Sequence, residues 1–385
     1  MDDLVRLKAL SELMSFEPAE DHSPVGTPYS DKTENCPDAV FVHPAVLPNG
    51  QRIRLLKTLL TSACERDCFY CPFRAGRDIR RTTFRPDEFA RLFVMLANKG
   101  IAEGVFLSSG MIGGGIRTQD KLIESAEIMR HELGFRGYIH LKIMPGAERS
   151  QVERSMQLAD RVSINLEAPN DNRLSKLAPH KQFTNELLQP LRWTEEIRRT
   201  QPAYYGWKGR WPSSVTQFVA GGSGESDLEL LTTTDYLYHH LGLRRAYFSP
   251  FNPIQGTPLE NHPPTPIIRE HRLYQASFLL RDYGFDLEEM PFEADGSLPT
   301  QTDPKLAWAQ NNLTHNPIEI NTAEYQTLLR VPGIGVKGAQ AILQARQQSK
   351  IRDLSALKKM GLLAERAAPY LLFEGRRATH QPILF

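Results

Sequence analysis

Three of the four cysteines in this 385-residue chain lie close together, as Cys64, Cys68 and Cys71. Their spacing is Cys-x3-Cys-x2-Cys, in a chain that begins without a visible secretory signal, which favours metal ligation over disulfide bonds. Thiolates bind iron–sulfur clusters and zinc. A structural zinc site usually adds a second nearby pair of ligands, and no Cys or His follows closely. The spacing indicates a [4Fe–4S] cluster with one iron free of protein ligands; zinc and accidental structural cysteines are the alternatives.

The fourth cysteine, Cys36, lies well before the other three. We interpret it as a buried structural thiol rather than a ligand. Four cysteines are too few for a second cluster ligated entirely by the protein.

The cysteines come at the end of the first of six segments with strand-like patterns. Helical patterns such as Pro86–Asn98 alternate with these strands, which predicts a parallel sheet with right-handed crossovers. We therefore expect an α/β fold, a partial (β/α)6 TIM-like barrel. The predicted strands are Leu55–Thr61, Gly104–Ser109, Tyr138–Ile143, Arg161–Ala168, Ser214–Ala220 and Arg245–Phe251.

Two of the predicted strands alternate apolar with polar residues. One places His140 and Lys142 on a single face, and the next places Asn165 and Glu167 there. A parallel strand covered by helices on both sides is normally apolar throughout. Since burying unpaired charges is costly, the pattern favours a polar ligand site inside the sheet. A strand at a solvated edge is the alternative.

The cysteine motif, Cys64 to Cys71, resembles that of radical S-adenosylmethionine (SAM) enzymes. In those enzymes the third cysteine follows an aromatic residue, which is Tyr70 here. The resemblance implies that the open iron binds the methionine part of SAM. It also implies reductive cleavage of SAM to a 5′-deoxyadenosyl radical, with electrons from a donor such as flavodoxin or ferredoxin. The barrel is then of the radical SAM type, and a cytoplasmic location is expected.

The same resemblance suggests which residues contact SAM. Ser108, Ser109 and Gly110 stand where a glycine-rich turn receives the amino group of SAM, although the common Gly-Gly-Glu form is absent. The positive charge of Lys142 suits the carboxylate of SAM, and the two acceptor oxygens of Glu167 suit its ribose hydroxyls. The alternative is that residues 108–110, and likewise Gly256 and Thr257, form ordinary turns without a ligand. The remaining predicted contacts are Tyr70, Asn165, Gln217, Gly256 and Thr257.

A second motif lies near the end of the chain. Val331-Pro332-Gly333-Ile334-Gly335 joins two amphipathic segments and resembles a helix-hairpin-helix, a DNA-binding element. Its glycines let backbone N–H groups approach a phosphate. A hairpin used only for protein packing is the alternative. The predicted nucleic-acid contacts are Gly333, Gly335, Lys337, Gly338 and Arg346.

Charge separates this region from the rest of the chain. Residues 325–377 contain ten Lys or Arg and three Asp or Glu, whereas the whole chain has a formal net charge of only +1. Such a basic region favours sequence-tolerant contacts with a nucleic-acid backbone. The predicted domains are an extension (1–50), a core domain (51–290), a linker (291–315), a small all-α helix-hairpin-helix domain (316–377) and a tail (378–385).

Together the two motifs resemble a family of radical SAM proteins assigned to DNA modification or repair and linked to uracil-DNA glycosylase-like partners. The resemblance implies a nucleic-acid substrate, with DNA as the first hypothesis. RNA modification is the second hypothesis. The third is a non-catalytic iron–sulfur protein that senses redox state while bound to nucleic acid. Lys142, Asn165 and Glu167 argue against the third, because a sensor needs no SAM pocket.

Overall fold

The computed structural model describes residues 3–12, 14, 42–47 and 50–377. Cys36 and the predicted tail, 378–385, lie outside these residues. The chain divides into two compact units. The first comprises the described residues up to Glu225 together with Tyr236–Thr265, and the second comprises Ser226–Asp235 together with the described residues from Pro266 onward. The domain boundaries drawn from the sequence stay predictions.

The first unit is built around one seven-stranded sheet whose strands follow chain order. Strand β1 pairs antiparallel with β2, and every later neighbour pairs parallel. Six parallel strands in sequential order form the predicted partial (β/α)6 barrel. The strands are β1 (Val42–Val46), β2 (Arg52–Leu59), β3 (Gly104–Ser108), β4 (Tyr138–Lys142), β5 (Arg161–Ser163), β6 (Ser213–Ala220) and β7 (Arg245–Pro250).

Helices connect these strands, as the alternating pattern predicts. The helix α2 has the predicted bounds and begins with a proline in its first turn, where no backbone N–H is needed. None of the described helices is long and apolar enough to span a membrane. The helices up to β7 are α1 (Asp3–Glu12), α2 (Pro86–Asn98), α3 (Gly114–Glu127), α4 (Arg149–Leu158), α5 (Asp171–Leu177), α6 (Gln189–Thr200) and α7 (Asp227–His240).

The register of the sheet separates an apolar face from a polar one. Leu107, Leu141 and Val162 are neighbours across three strands, whereas Lys142 pairs with Ser163 on the opposite face. All of these residues are buried. The apolar residues form the core under the helices, so the polar row lies on the inner face of the barrel, as the alternation predicts.

The fourth predicted strand is shorter than the sequence indicates. We predicted Arg161–Ala168, but the strand ends at Ser163. Beyond it, Glu167 has a left-handed backbone conformation, with φ of 65°, and makes an isolated bridge to Phe218. The chain therefore bends at the carboxyl end of β5, and the bend carries polar groups toward the inside of the barrel.

The second unit is mainly helical around its own apolar core. Three very short strands, β8 (Ile318–Glu319), β9 (Leu371–Phe373) and β10 (Arg376–Arg377), add a small sheet that the sequence does not reveal. The stretch predicted as a linker contains a helix whose Ala309 belongs to this core. The helices after β7 are α8 (Ile267–Asp282), α9 (Pro304–Asn312), α10 (Tyr325–Leu329), α11 (Val336–Gln348), α12 (Leu354–Lys359) and α13 (Ala364–Ala367).

Candidate functional site

The three clustered cysteines lie in the loop between β2 and α2, residues 60–85, which we call the cysteine loop. Cys68 is buried, and Cys64 and Cys71 are partly buried. The backbone N–H of Phe73 donates to the sulfur of Cys71 at 3.4 Å. Burial raises the pKa of the Cys68 and Cys71 thiols above its ordinary value, and the neighbouring cysteines add to the shift. Thiolates here therefore need a compensating positive charge, such as iron.

The donor set suits an iron–sulfur cluster. The three thiols are free and share one loop at the carboxyl end of a barrel strand, where barrel enzymes place their active sites. In the described part of the chain, no group of three or more His, Cys, Asp or Glu is arranged to hold a metal ion. The fit is therefore one of ligand type and of position in the barrel.

Arginines within the cysteine loop hold its backbone. Arg81 donates to the carbonyl oxygens of Ser62 and Phe73, both at 2.7 Å. Arg77 donates to the carbonyl oxygens of Pro72, at 2.6 Å, and Gln255, at 2.8 Å. The second of these bonds ties the loop to the segment after β7. These side chains serve to shape the loop, a role that their sequence pattern does not reveal.

The turn after β3 packs directly against the cysteine loop. Gly110 donates its N–H to the carbonyl of Thr61 at 2.7 Å, and a Cβ at Gly110 would overlap the carbonyl oxygen of Ala63. Only glycine permits this approach. Ser108 is buried and ends β3, and the Ser109 hydroxyl donates to the carbonyl of Gly110 at 2.6 Å. The predicted turn is therefore brought beside the cysteines.

The glycines that follow this turn are occupied by a side chain of the cysteine loop. Glu65 accepts the backbone N–H groups of Gly113 and Gly114, each at 2.9 Å. A carboxylate at the start of α3 is favourably placed for the helix dipole. Glu65 thus binds the backbone N–H groups at the start of α3. Ser108, Ser109 and Gly110 remain the predicted SAM contacts from this turn.

The inner face of the barrel supplies a row of buried polar groups. Lys142 ends β4, and Ser163 is its register partner on β5. Asn165 donates its amide to Gln217 on β6 at 3.4 Å. The Ser163 hydroxyl is buried and makes no hydrogen bond with the residues that the structure describes. A buried hydroxyl of this kind suits a polar ligand, and we did not predict it as a site residue.

Glu167 lies in a buried cluster with two other side chains. Lys181 donates to a carboxylate oxygen of Glu167 at 3.1 Å and to the hydroxyl of Tyr70 at 3.5 Å. Burial raises the pKa of Tyr70 well above its usual value, and the charge of Glu167 adds to that shift. The predicted contacts Tyr70 and Glu167 are therefore brought together, but by a lysine that no sequence motif singles out.

The last predicted contacts of this site follow β7. Gly256 has φ of 74° and donates its N–H to a carboxylate oxygen of Glu260 at 2.8 Å. The buried Thr257 donates its hydroxyl to the carbonyl of Ile254 at 2.7 Å. These bonds define a tight turn, and Arg77 of the cysteine loop lies against Gly256.

The second unit contains the predicted hairpin. Helix α10 and helix α11 are joined by residues 331–335, which we call the hairpin turn. Gly333 has φ of 86°, and a Cβ there would lie 2.6 Å from the carbonyl oxygen of Leu363. Gly335 is the N-cap of α11 and provides no side-chain cap. The backbone of this turn therefore presents the first N–H groups of a thirteen-residue helix.

The other predicted contacts of the hairpin have different surroundings. Lys337 lies in the first turn of α11, and a Cβ at Gly338 would overlap Leu362. Arg346, at the other end of α11, donates to the carbonyls of Ile320, at 3.3 Å, and Ala323, at 2.6 Å. The side chain of Arg346 thus holds its own unit together, whereas Lys337 lies beside the hairpin turn.

A second helix pair follows the first in the same unit. Helices α12 and α13 are joined at Gly361, which has φ of 77°. Lys305 of α9 supports the first hairpin turn by donating to the carbonyl of Ile334 at 2.6 Å.

Comparison with known families supports both motifs. The profile of the radical SAM superfamily matches residues 58–237. The profile of the helix-hairpin-helix motif matches residues 314–368. No curated protein matches the chain.

Several solved structures are similar to the chain at low identity. The FeFe-hydrogenase maturase HydG from Carboxydothermus hydrogenoformans is 16% identical, over 59% of this chain and 51% of that one, with a TM-score of 0.46. Methylornithine synthase (PylB) is 16% identical, over 59% and 61%, with a TM-score of 0.47. A radical SAM methyltransferase from Sphaerobacter thermophilus is 16% identical, over 62% and 74%, with a TM-score of 0.44. The chain spans about half the length of HydG and about three fifths that of PylB.

Proposed function

We propose that this chain, whose residues 58–237 match the radical SAM profile, is an enzyme that modifies or repairs a nucleic acid, with DNA as the substrate. The observation that carries the proposal is the presence, in one chain, of this domain and a helix-hairpin-helix motif. The superfamily uses a [4Fe–4S] cluster and SAM, so these are the cofactors of the enzyme, as the cysteine motif predicts. The reaction class, the substrate and a uracil-DNA glycosylase-like partner belong to the proposal.

In this proposal Cys64, Cys68 and Cys71 hold the cluster. When bound, the cluster and SAM supply the 5′-deoxyadenosyl radical that abstracts a hydrogen atom from the substrate. The chain positions these cofactors and excludes water around them. SAM would lie along the inner face of the barrel, where the carboxyl ends of the strands present Ser109, Lys142 and the Ser163 hydroxyl.

The second unit would bind the sugar–phosphate backbone. The hairpin turn presents N–H groups at the start of α11, a favourable place for a phosphate. Lys337 adds a positive charge in the first turn of α11. Residues 325–377 have an excess of seven basic over acidic residues. Contacts of this kind do not read bases, so binding should weaken steeply with salt and vary little with sequence.

The reaction is tested by mass spectrometry of nucleosides. Duplex DNA and structured RNA are each incubated anaerobically with reduced protein and SAM, then digested. The proposal predicts a nucleoside of altered mass from DNA, absent with the Cys68→Ala variant. An altered nucleoside from RNA alone would replace DNA by RNA as the substrate. No altered nucleoside from either polymer, in protein that cleaves SAM, would contradict a nucleic-acid substrate.

Binding of the nucleic acid is tested separately from the reaction, because the second unit is proposed to bind the polymer and the first unit to modify it. Retention of duplex DNA and of structured RNA is compared as the salt concentration rises. Preferential retention of DNA at high salt supports the proposal, and a preference for RNA contradicts its DNA part. Lys337→Gln should lower the slope of log affinity against log salt by about one. Lys359→Gln on α12 is the matched control.

A further inference from the structure

The buried lysine beside the cysteine loop has no role in the assignments made so far. Lys181 follows α5, and only 9% of its side chain is exposed. A buried ammonium requires strong partners, because its transfer from water is costly. Two such partners are near it, Glu167 and the Tyr70 hydroxyl.

The partners of Lys181 connect it to the cluster ligands. Tyr70 directly precedes Cys71 in the chain, and Cys68 comes two residues before Tyr70. Lys181 forms an ion pair with Glu167 at 3.1 Å. Its positive charge therefore lies beside the segment that carries Cys68 and Cys71.

We propose that Lys181 is a positioning residue that favours the reduced form of the cluster and holds Glu167 in the SAM site. Reduction of a cluster adds one negative charge to it. A nearby buried cation stabilises that added charge more than it stabilises the oxidised form, and the low dielectric of the interior strengthens the effect. Glu167 acts in the opposite sense, because its carboxylate opposes added negative charge.

Two opposite charges at 3.1 Å give the proposal a distinctive signature. Removing the cation should make the cluster harder to reduce, and removing the anion should make it easier. Removing both should restore the original potential, because the pair is neutral as a whole. If Lys181 only supported packing, removing Lys181 and removing Glu167 would not shift the reduction potential of the cluster in opposite directions. This inference rests on the cluster assigned above and is independent of the nucleic-acid substrate.

The test is a redox titration of the reconstituted cluster, followed by electron paramagnetic resonance without SAM or nucleic acid. Lys181→Met should lower the ratio of reduced to oxidised cluster at a fixed potential about tenfold, which for one electron is ~59 mV. Glu167→Gln should raise this ratio, and the double variant should lie near the wild type. Lys181→Arg should keep most of the wild-type value. Lys176→Met removes an exposed lysine of α5 and is the matched control.

The signs of the shifts decide the outcome. Shifts of the same sign in both single variants, or no shift in either, would overturn the proposal. If Lys181→Met fails to hold a cluster, the direction of the Glu167→Gln shift decides alone, and a fall in its ratio of reduced to oxidised cluster would overturn the proposal. A second measurement follows the change of the spectrum when SAM is added. Lys181→Met should require more SAM for this change, because Glu167 loses the partner that positions it.

Discussion

The backbones of the cysteine loop and the hairpin turn are held in place in opposite ways. In the cysteine loop, Arg77 and Arg81 bind carbonyl oxygens and fix a long irregular segment. In the hairpin turn, Gly333 and Gly335 lack side chains where a Cβ would lie close to Leu363 and Tyr283. The difference shows that the cysteine loop is held by long side chains, whereas the hairpin turn depends on having none.

The largest effect is expected from the cysteines. Replacing Cys64, Cys68 or Cys71 by alanine removes one of three ligands, so iron and sulfide content should fall to background and SAM cleavage should be lost. Chemical analysis of iron and sulfide after anaerobic reconstitution measures this. Cys36→Ala is the matched control and should keep the cluster. A cluster retained in full by any of the three variants would contradict the assignment.

Next in size is the contact between the turn after β3 and the cysteine loop. Gly110→Ala places a methyl group on the carbonyl of Ala63, so the two segments must move apart. We expect SAM affinity to fall at least tenfold, or ~1.4 kcal/mol, as measured by titration of the reduced cluster. Gly114→Ala is the comparison variant, because Gly114 has φ of 87° and a Cβ there meets no atom within 4 Å, so this change adds backbone strain without a clash. Equal losses in both variants would contradict the role given to the contact at Gly110.

Two glycines of the second unit, one in the hairpin turn and one between α12 and α13, form a matched pair. Gly333→Ala combines a positive φ with a clash against Leu363, whereas Gly361→Ala has the positive φ alone. The free energy of unfolding of the second unit should fall by about 2–4 kcal/mol for the first and about 1 kcal/mol for the second. Hydrogen exchange of the α11 amides measures both. Duplex DNA binding should weaken only for Gly333→Ala, and the reverse order would contradict this view of the turn.

The smallest effect expected is a pH dependence of the second unit. Burial lowers the pKa of Lys305 to about 7, against the opposing charge of Asp303. Because the folded-state pKa is below the unfolded value, the unfolded chain binds more protons between pH 7 and the ordinary lysine value. Stability should therefore rise with pH through this window, by much less than the ~1.4 kcal/mol per pH unit of a fully buried group, because Lys305 is partly exposed to solvent.

Hydrogen exchange of the α11 amides at several pH values measures the change in stability of the second unit. Lys305→Met should remove the dependence, whereas Lys359→Met should preserve it. A slope that persists without Lys305 would assign it to another group.

The barrel could be predicted, and the cluster ligands could be proposed, because their signals are local in the sequence. The spacing of the cysteines and the alternation in β4 each lie within a few residues. Hydrophobic patterning placed α2 with its observed bounds. The hairpin was equally predictable, because its two glycines, Gly333 and Gly335, are separated by a single residue.

Other parts of the site depend on contacts distant in the chain. Lys181 meets Tyr70 across more than a hundred residues, and no local pattern marks it. The sequence predicts a phosphate contact for Arg346 because it does not reveal the carbonyl groups that bind this side chain, among them that of Ala323. After the early end of β5, Glu167 has a left-handed backbone, which is unusual for a residue other than glycine and which no sequence pattern marks.

The most direct test of the account measures 5′-deoxyadenosine formed from SAM by reduced, reconstituted protein, with and without duplex DNA. The account predicts formation that requires all three clustered cysteines and rises when DNA is added, with the rise lost in Gly333→Ala. Protein that binds the cluster but forms no 5′-deoxyadenosine, or forms it at a rate indifferent to nucleic acid, would contradict the account.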